Sequence, residues 1–217
     1  MTELPREFLG HWDAHVKSIQ PKSRKPLASN IRTIRDLLRS EESAKIDPLT
    51  KLGSRRAYED DKKQIEQLLE KKGGVIFLAD LDGLKNVNDT LGHQAGDELI
   101  KKVGSFFIAN TFVGDPKYRY GGDEVIGFLF GIPEEKSEKR MTKLIRLANA
   151  HVKEDPLAPR FSMGYVYVPA GSRASCDELV GCADQALYLA KDIEKEKKDW
   201  KSHTVRWSSN IKPTPGG

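Results

Sequence analysis

With 217 residues, 38% of them hydrophobic and 31% charged, the chain has the length of one α/β domain plus a short appendage and can bury a core without disulfide or metal staples. These proportions argue against global disorder, and no apolar run approaches bilayer length, so no membrane span is expected. A formal net charge of +4 is modest, and the lysine cluster Lys195-Glu196-Lys197-Lys198 alternates with acid and lacks interleaved aromatics, so no nucleic-acid partner is expected.

The opening MTELPREFLGHWDAH places Glu3 and Glu7 where a signal peptide needs its apolar core, and a cytoplasmic location is the expectation. Phe8, Leu9, Trp12, Val16 and Ile19 recur at helical spacing until Pro21 and Pro26 interrupt. Leu27, Ile31, Ile34 and Leu38 then form a heptad-like stripe able to pack on the main domain or on a partner helix. Residues 1–45 are therefore expected to be a helical extension: a dimerising or regulatory segment, or a connection to an upstream sensor. The main domain is expected over 46–207, and the Pro- and Gly-rich residues 208–217 form a loose tail.

Asp47-Pro48-Leu49-Thr50 ends the helical pattern, and a further helix is predicted over Ser54–Leu69, closed by Gly73-Gly74. Residues 75–79 (VIFLA) form a continuous apolar run of strand length, as a buried central strand requires. Asp80 closes it. A polar helical turn runs to Gly92, and Ala95–Thr111 is predicted to be a helix turning Leu99, Ile100, Val103, Phe106 and Phe107 inward. Lys117–Tyr120 and Glu124–Phe130 flank Gly121-Gly122 as a tight hairpin. A helix over Glu134–Val152, a strand over Phe161–Val168, a helix over Ser175–Lys198 and a short edge strand over Thr204–Trp207 complete the chain. Cys176 and Cys182 fit neither a disulfide framework nor a metal knuckle and read as reduced thiols. The order predicts an α/β (α+β) fold with a mostly antiparallel central sheet flanked by helices. Neither glycine fingerprint of Rossmann and P-loop sites is present.

If the strands ending at Asp80 and beginning at Glu124 are neighbours, Asp80, Asp123 and Glu124 converge at one sheet edge. Packed carboxylates repel unless a cation neutralises them, and Mg²⁺ prefers hard oxygen ligands. A helix cap at Asp80 and a turn at Asp123 explain the same residues without metal. Gly121 and Gly122 allow either a close ligand or a positive φ. Lys85 and Lys191 can neutralise phosphate, and Asn88 with Asp97 carries the groups needed to read a guanine edge; solvated surface accounts for each of them singly.

Three stretches in register, DLDGLKNVNDTLGHQAGD (80–97), RYGGDEV (119–125) and ADQALYLAK (183–191), together resemble the GGDEF family of diguanylate cyclases. Asp47-Pro48-Leu49-Thr50 with Arg55-Arg56 resembles that family's opening motif, and Ser162-Met163-Gly164 resembles its late strand motif. The resemblance spans about residues 46–207 and implies a fold like the palm of nucleotide polymerases and adenylyl cyclases. It also implies a magnesium-dependent condensation of two GTP into cyclic di-GMP and two pyrophosphates at the interface of two facing domains, hence a homodimer. On matching residues it implies Asp80, Asp123 and Glu124, with the backbone carbonyl of Leu81, as ligands for Mg²⁺ or Mn²⁺, and Glu124 as an aid to deprotonating the attacking 3′-hydroxyl. Asn88 and Asp97 are implied to read guanine, Leu84, Lys85, Lys191 and Lys195 to lie along the phosphates, and Arg119 to orient the second domain.

The departures are Val125 for phenylalanine, Lys51 for glycine, Ser54 for asparagine, Leu84 for phenylalanine, and Glu194-Lys195-Glu196 in place of a Gly-Arg-Asn-type ending. Phe112 stands where an inhibitory Arg-x-x-Asp motif has its arginine, while Asp115 remains, so no product-inhibition site is expected there. Two alternatives share the motifs. A catalytically weak receptor for GTP or a cyclic dinucleotide is disfavoured by the intact acidic set, and a cyclase with a mixed product is disfavoured by Asp97.

Overall fold

A computed structural model of the chain describes residues 45–150, 155, 158–197 and 203–208, without the side chains of 194–197. The expected helical extension up to residue 44, the tail beyond 208, the last residues of the predicted helix ending at Val152 and the side chain of Lys195 lie outside this set.

The elements in order are α1 (Arg55–Lys72), β1 (Gly74–Leu81), α2 (Leu84–Leu91), α3 (His93–Asn110), β2 (Lys117–Arg119), β3 (Glu124–Phe130), α4 (Glu134–Ala150), β4 (Phe161–Val168), α5 (Cys176–Lys197) and β5 (His203–Arg206). The strands form one five-stranded sheet in the order β2-β3-β1-β4-β5. Every pairing is antiparallel except β4 with β5.

The apolar run at 75–79 is explained by burial on both faces. Val75, Phe77, Ala79 and Leu81 pack with Leu99, Val103 and Phe107 of α3 and Met141 and Leu144 of α4. Ile76 and Leu78 pack on the other side with Tyr58 and Ile65 of α1 and Leu179, Ala183 and Leu187 of α5. Strand periodicity sends alternate side chains to opposite helical layers. Fully burying side chains such as Phe77, Phe107 and Phe161 contributes about 1.5–3 kcal/mol each.

Local chemistry sets the boundaries. Ser54 caps α1 by accepting from Ala57 N at 3.2 Å, and α1 runs to Lys72, beyond the expected Leu69, because its apolar stripe is followed by two more helix-compatible lysines. β1 continues through Leu81, so Asp80 lies within a paired strand and does not cap a helix. The expected tight two-glycine hairpin is a longer loop: β2 stops at Arg119 and β3 starts at Glu124. Two-residue hairpin turns need positive φ, and neither Gly121 nor Gly122 has it. Tyr120 N and Gly121 N instead both donate to Glu124 O, at 2.8 and 3.4 Å. Both cysteines are free thiols, as expected, and burial pushes Cys176 up to about 12. No helix among the described residues is long and apolar enough to cross a membrane.

Candidate active site

The ladder brings the acidic residues together. Asp80 pairs with Glu124 on β3 and with Ser162 on β4, so the three side chains form a row on the α1/α5 face. Leu81 N donates to Asp123 O at 3.0 Å, which fixes Asp123 beside the row. Lys191 reaches in from α5 and places Nζ 2.8 Å from Asp80 Oδ2. The close seating of α5 depends on Gly164 of β4, where any Cβ would overlap the backbone of Ala183, Ala186 and Leu187.

Burial is the main cause that raises the proton affinity of Asp80; Lys191 opposes it, and the charges of Asp123 and Asp184 add to it. Burial likewise raises Glu124, reinforced by Asp80 and Asp123. For Lys191, burial favours the neutral amine, but the hydrogen bond to Asp80 and the surrounding acids outweigh it and hold the ammonium above its usual range. The edge therefore carries more negative charge than one lysine offsets.

Among the described residues no group of three or more His, Cys, Asp or Glu side chains stands arranged to hold a metal ion. The expected convergence of Asp80, Asp123 and Glu124 is thus met by the backbone and not as a ready cage, because Asp80 is turned to Lys191. The donor chemistry still suits a hard divalent cation: oxygen ligands in mutual repulsion at one edge.

Asn88 on α2 approaches α3 closely because the residue it meets there has no side chain. A Cβ at Gly96 would overlap Asn88 Oδ1 and come within 3.2 Å of Leu84 Cδ1, so the Asn88 amide lies directly over α3 at Gly96, the residue before Asp97. Asn88 is half-buried, and Asp97 and Lys85 are exposed. Leu84 packs against the core.

Arg119 is engaged within its own chain. Its Nε and Nη2 donate to Gly122 O at 3.1 and 2.6 Å, and Nη1 donates to Asp47 Oδ2 at 3.2 Å. Asp47 also accepts from Thr50 N and Oγ1, both at 2.7 Å. Burial favours its neutral form, but the Thr50 donors and Arg119 outweigh burial and hold the carboxyl below its usual range. The sequence marks Asp47 as the end of the helical pattern and part of the opening motif; the Asx-turn spacing to Thr50 is visible there, its partner Arg119 across the fold is not. Asp184 was likewise missed, although it stands two helical turns before Lys191.

Phe112 is 67% exposed, with the Arg140 guanidinium 5.4 Å from its ring centroid, so it does not close α3 against the core. Asp115 is buried, and its Oδ1 accepts from Phe130 N at 3.3 Å.

The family model described as "Diguanylate cyclase, GGDEF domain" matches residues 44–197. The uncharacterized protein YtrP of Bacillus subtilis is 36% identical over 171 residues, covering 79% of this chain and 28% of that protein. The probable diguanylate cyclase DgcI of Escherichia coli is 30% identical over 159 residues, covering 73% and 34%. Diguanylate cyclase DgcS of Shewanella oneidensis is 29% identical over 150 residues, covering 68% and 50%. The chain thus spans between 28% and 50% of the length of these curated relatives. Among solved structures, a microbial GGDEF domain described in its interaction with cyclic di-GMP superposes with a TM-score of 0.63 at 25% identity, covering 76% of this chain and 98% of that one. A sensory box/GGDEF family protein from Caulobacter crescentus superposes with a TM-score of 0.60 at 29% identity, covering 69% and 99%. With most of the chain matched by the family model and the motif residues set along one sheet edge, the chain belongs to the GGDEF domain family of diguanylate cyclases.

Proposed function

We propose that the protein condenses two GTP molecules into cyclic di-GMP, releasing two pyrophosphates, with one GTP held by each of two facing copies of this domain. The observation that carries the reading is the cross-strand pair Asp80–Glu124, whose negative charge Lys191 offsets only in part. Asp97 accepts from guanine N1–H and the exocyclic amine, and Asn88 supplies both a donor and an acceptor. Lys85 and Lys191 neutralise the triphosphate, beside the apolar Leu84. Lys195 extends the same helix by one turn and adds a further positive charge. Asp80, Asp123, Glu124 and the Leu81 carbonyl would hold Mg²⁺ or Mn²⁺, which when bound supplies Lewis-acid polarisation and charge neutralisation at the phosphates. Glu124, with its raised proton affinity, accepts the proton of the 3′-hydroxyl, and the freed oxygen attacks the α-phosphorus of the other copy's nucleotide. Arg119 holds the hairpin through Gly122, which steadies Asp123 and Glu124, and helps orient the second domain. A homodimer is required because one domain carries one nucleotide. The domain is read as acting in the cytoplasm, where GTP is supplied, with residues 1–45 as the route for a sensor or partner signal.

The test is incubation of the purified chain with GTP, ATP and Mg²⁺, or Mn²⁺ in a parallel series, with products separated and identified. Cyclic di-GMP as the main product is expected. No cyclic product at any protein concentration, or a mixed dinucleotide as the main one, would overturn the reading.

A further inference from the structure

The turn joining β1 to α2 is suspended between two strands. On the β3 side Leu81 N donates to Asp123 O at 3.0 Å. On the β4 side Asp82 N donates to Arg160 O at 2.9 Å, and Asp82 Oδ1 accepts from Ser162 Oγ at 3.2 Å. Ser162 is fully buried, stands opposite Asp80 in the ladder and is followed by apolar residues along β4. Burying a hydroxyl costs free energy unless it is hydrogen-bonded, and this one spends its proton on the turn. Nothing in the sheet itself needs a hydroxyl at 162.

This turn delivers the groups that face the nucleotide. It carries the Leu81 carbonyl, then Gly83 at φ 78°, then Leu84 and Lys85 at the start of α2. Gly83 gives α2 no side-chain cap, so the start of that helix is held by the turn.

We propose that Ser162 and Asp82 are a positioning pair for nucleotide binding: β4 fixes the β1–α2 turn through their hydrogen bond, and so sets where Leu84 and Lys85 meet the phosphates and where the Leu81 carbonyl is presented. Neither side chain touches the nucleotide. The inference rests on the reading of this edge as the GTP site.

The experiment is calorimetric titration of the full chain with a GTP analogue carrying a methylene bridge between the α and β phosphorus atoms, in Mg²⁺, alongside thermal denaturation. Loss of one hydrogen bond that orders the site is expected to weaken binding by the Ser162→Ala variant roughly three- to tenfold. Ser137→Ala is the control: Ser137 is also fully buried, and its Oγ donates to Glu134 O at 2.6 Å on α4. It should lose comparable thermal stability with binding unchanged. Asp82→Ala should match Ser162→Ala, the double variant should be no weaker than either single one, and Asp82→Asn, which keeps the acceptor oxygen, should bind within twofold of the parent. If Ser162→Ala does not fold, the contrast between Asp82→Asn and Asp82→Ala carries the same test. Ser162→Ala binding within twofold of the parent, additive single effects, or Asp82→Asn as weak as Asp82→Ala would overturn the pair. A parent chain that does not bind the analogue overturns the nucleotide-site reading and this inference with it.

Discussion

The ammonium of Lys191 lies 2.8 Å from Asp80 Oδ2, bridging the last turns of α5 and the central strand of the sheet. Under the proposed function, a nucleotide arriving at this edge competes with Asp80 for the lysine, and a cation competes with the lysine for Asp80. Lys191→Met is predicted to raise the GTP concentration for half-maximal rate about tenfold to a hundredfold, the value of one charge-assisted hydrogen bond. Initial rates against GTP check this; an unchanged KM removes Lys191 from the phosphate site.

Glu124→Gln should lower cyclic di-GMP formation about 10²–10⁴-fold, the usual contribution of a positioned proton acceptor. Stability should move the other way. Asp80 and Glu124 both have proton affinities raised in the fold, so their favourable contribution is complete below the unfolded carboxylate range near pH ~4 and is lost as pH rises through the folded values. Metal-free Glu124→Gln is therefore predicted to melt above the parent at pH 7, with the difference closing toward pH ~4. Added Mg²⁺ should raise the parent's Tm more than the variant's. Melting curves with and without Mg²⁺ test both statements.

Base choice should depend on a residue without a side chain. Gly96→Ala is predicted to displace the Asn88 amide and weaken discrimination of GTP from ATP, and Asp97→Ser should do so by removing the acceptor for guanine N1–H. Product ratios from mixed GTP and ATP decide it. Discrimination retained by both variants places guanine recognition elsewhere.

Lys51 has φ 61°, a left-handed conformation costing roughly 1–2 kcal/mol for a residue with a Cβ. It is also where the sequence departs from the family's glycine. Lys51→Gly relieves that strain against a loss of about 0.5–1 kcal/mol in backbone entropy, so a net stabilisation of up to about 1.5 kcal/mol is predicted. Urea denaturation measures it, and a destabilised variant would show that the lysine makes a compensating contact.

Asp115 is predicted to matter for folding and not for feedback. Its carboxylate is buried and receives Phe130 N, so Asp115→Ala should cost about 1–3 kcal/mol by leaving that donor unpaired. Added cyclic di-GMP should inhibit the parent little through this position, since Phe112 offers no guanidinium. Tight noncompetitive inhibition that vanishes in a still-folded Asp115→Ala variant would refute this.

The sheet was legible because its cause is local: apolar stretches of strand length for β1, β3 and β4, buried on both faces, and glycines marking the joints. The grouping of Asp80, Asp123 and Glu124 was legible because strand pairing converts sequence motifs into neighbours. What stayed hidden depended on long-range side-chain geometry. Nothing in the sequence around Arg119 says that its guanidinium spends itself on Gly122 and Asp47, nor that Ser162 serves Asp82 across strands. The hairpin length was misjudged because a glycine pair suggests positive φ, whereas here Gly121 leaves room for the Glu124 carboxylate, which a Cβ would overlap.

The parallel pairing of β4 with β5 has a consequence for synthesis. β5 joins β4 only after α5 has crossed over, and Trp207 Nε1 then donates to Gln185 Oε1 at 3.2 Å in the middle of a helix whose start is already tied to α1, where Cys176 N donates to Glu66 Oε1 at 2.8 Å. In the order of synthesis the acidic residues of β1 and β3 thus precede the lysine that offsets them, and the domain closes over its own charge only when α5 packs back on the sheet.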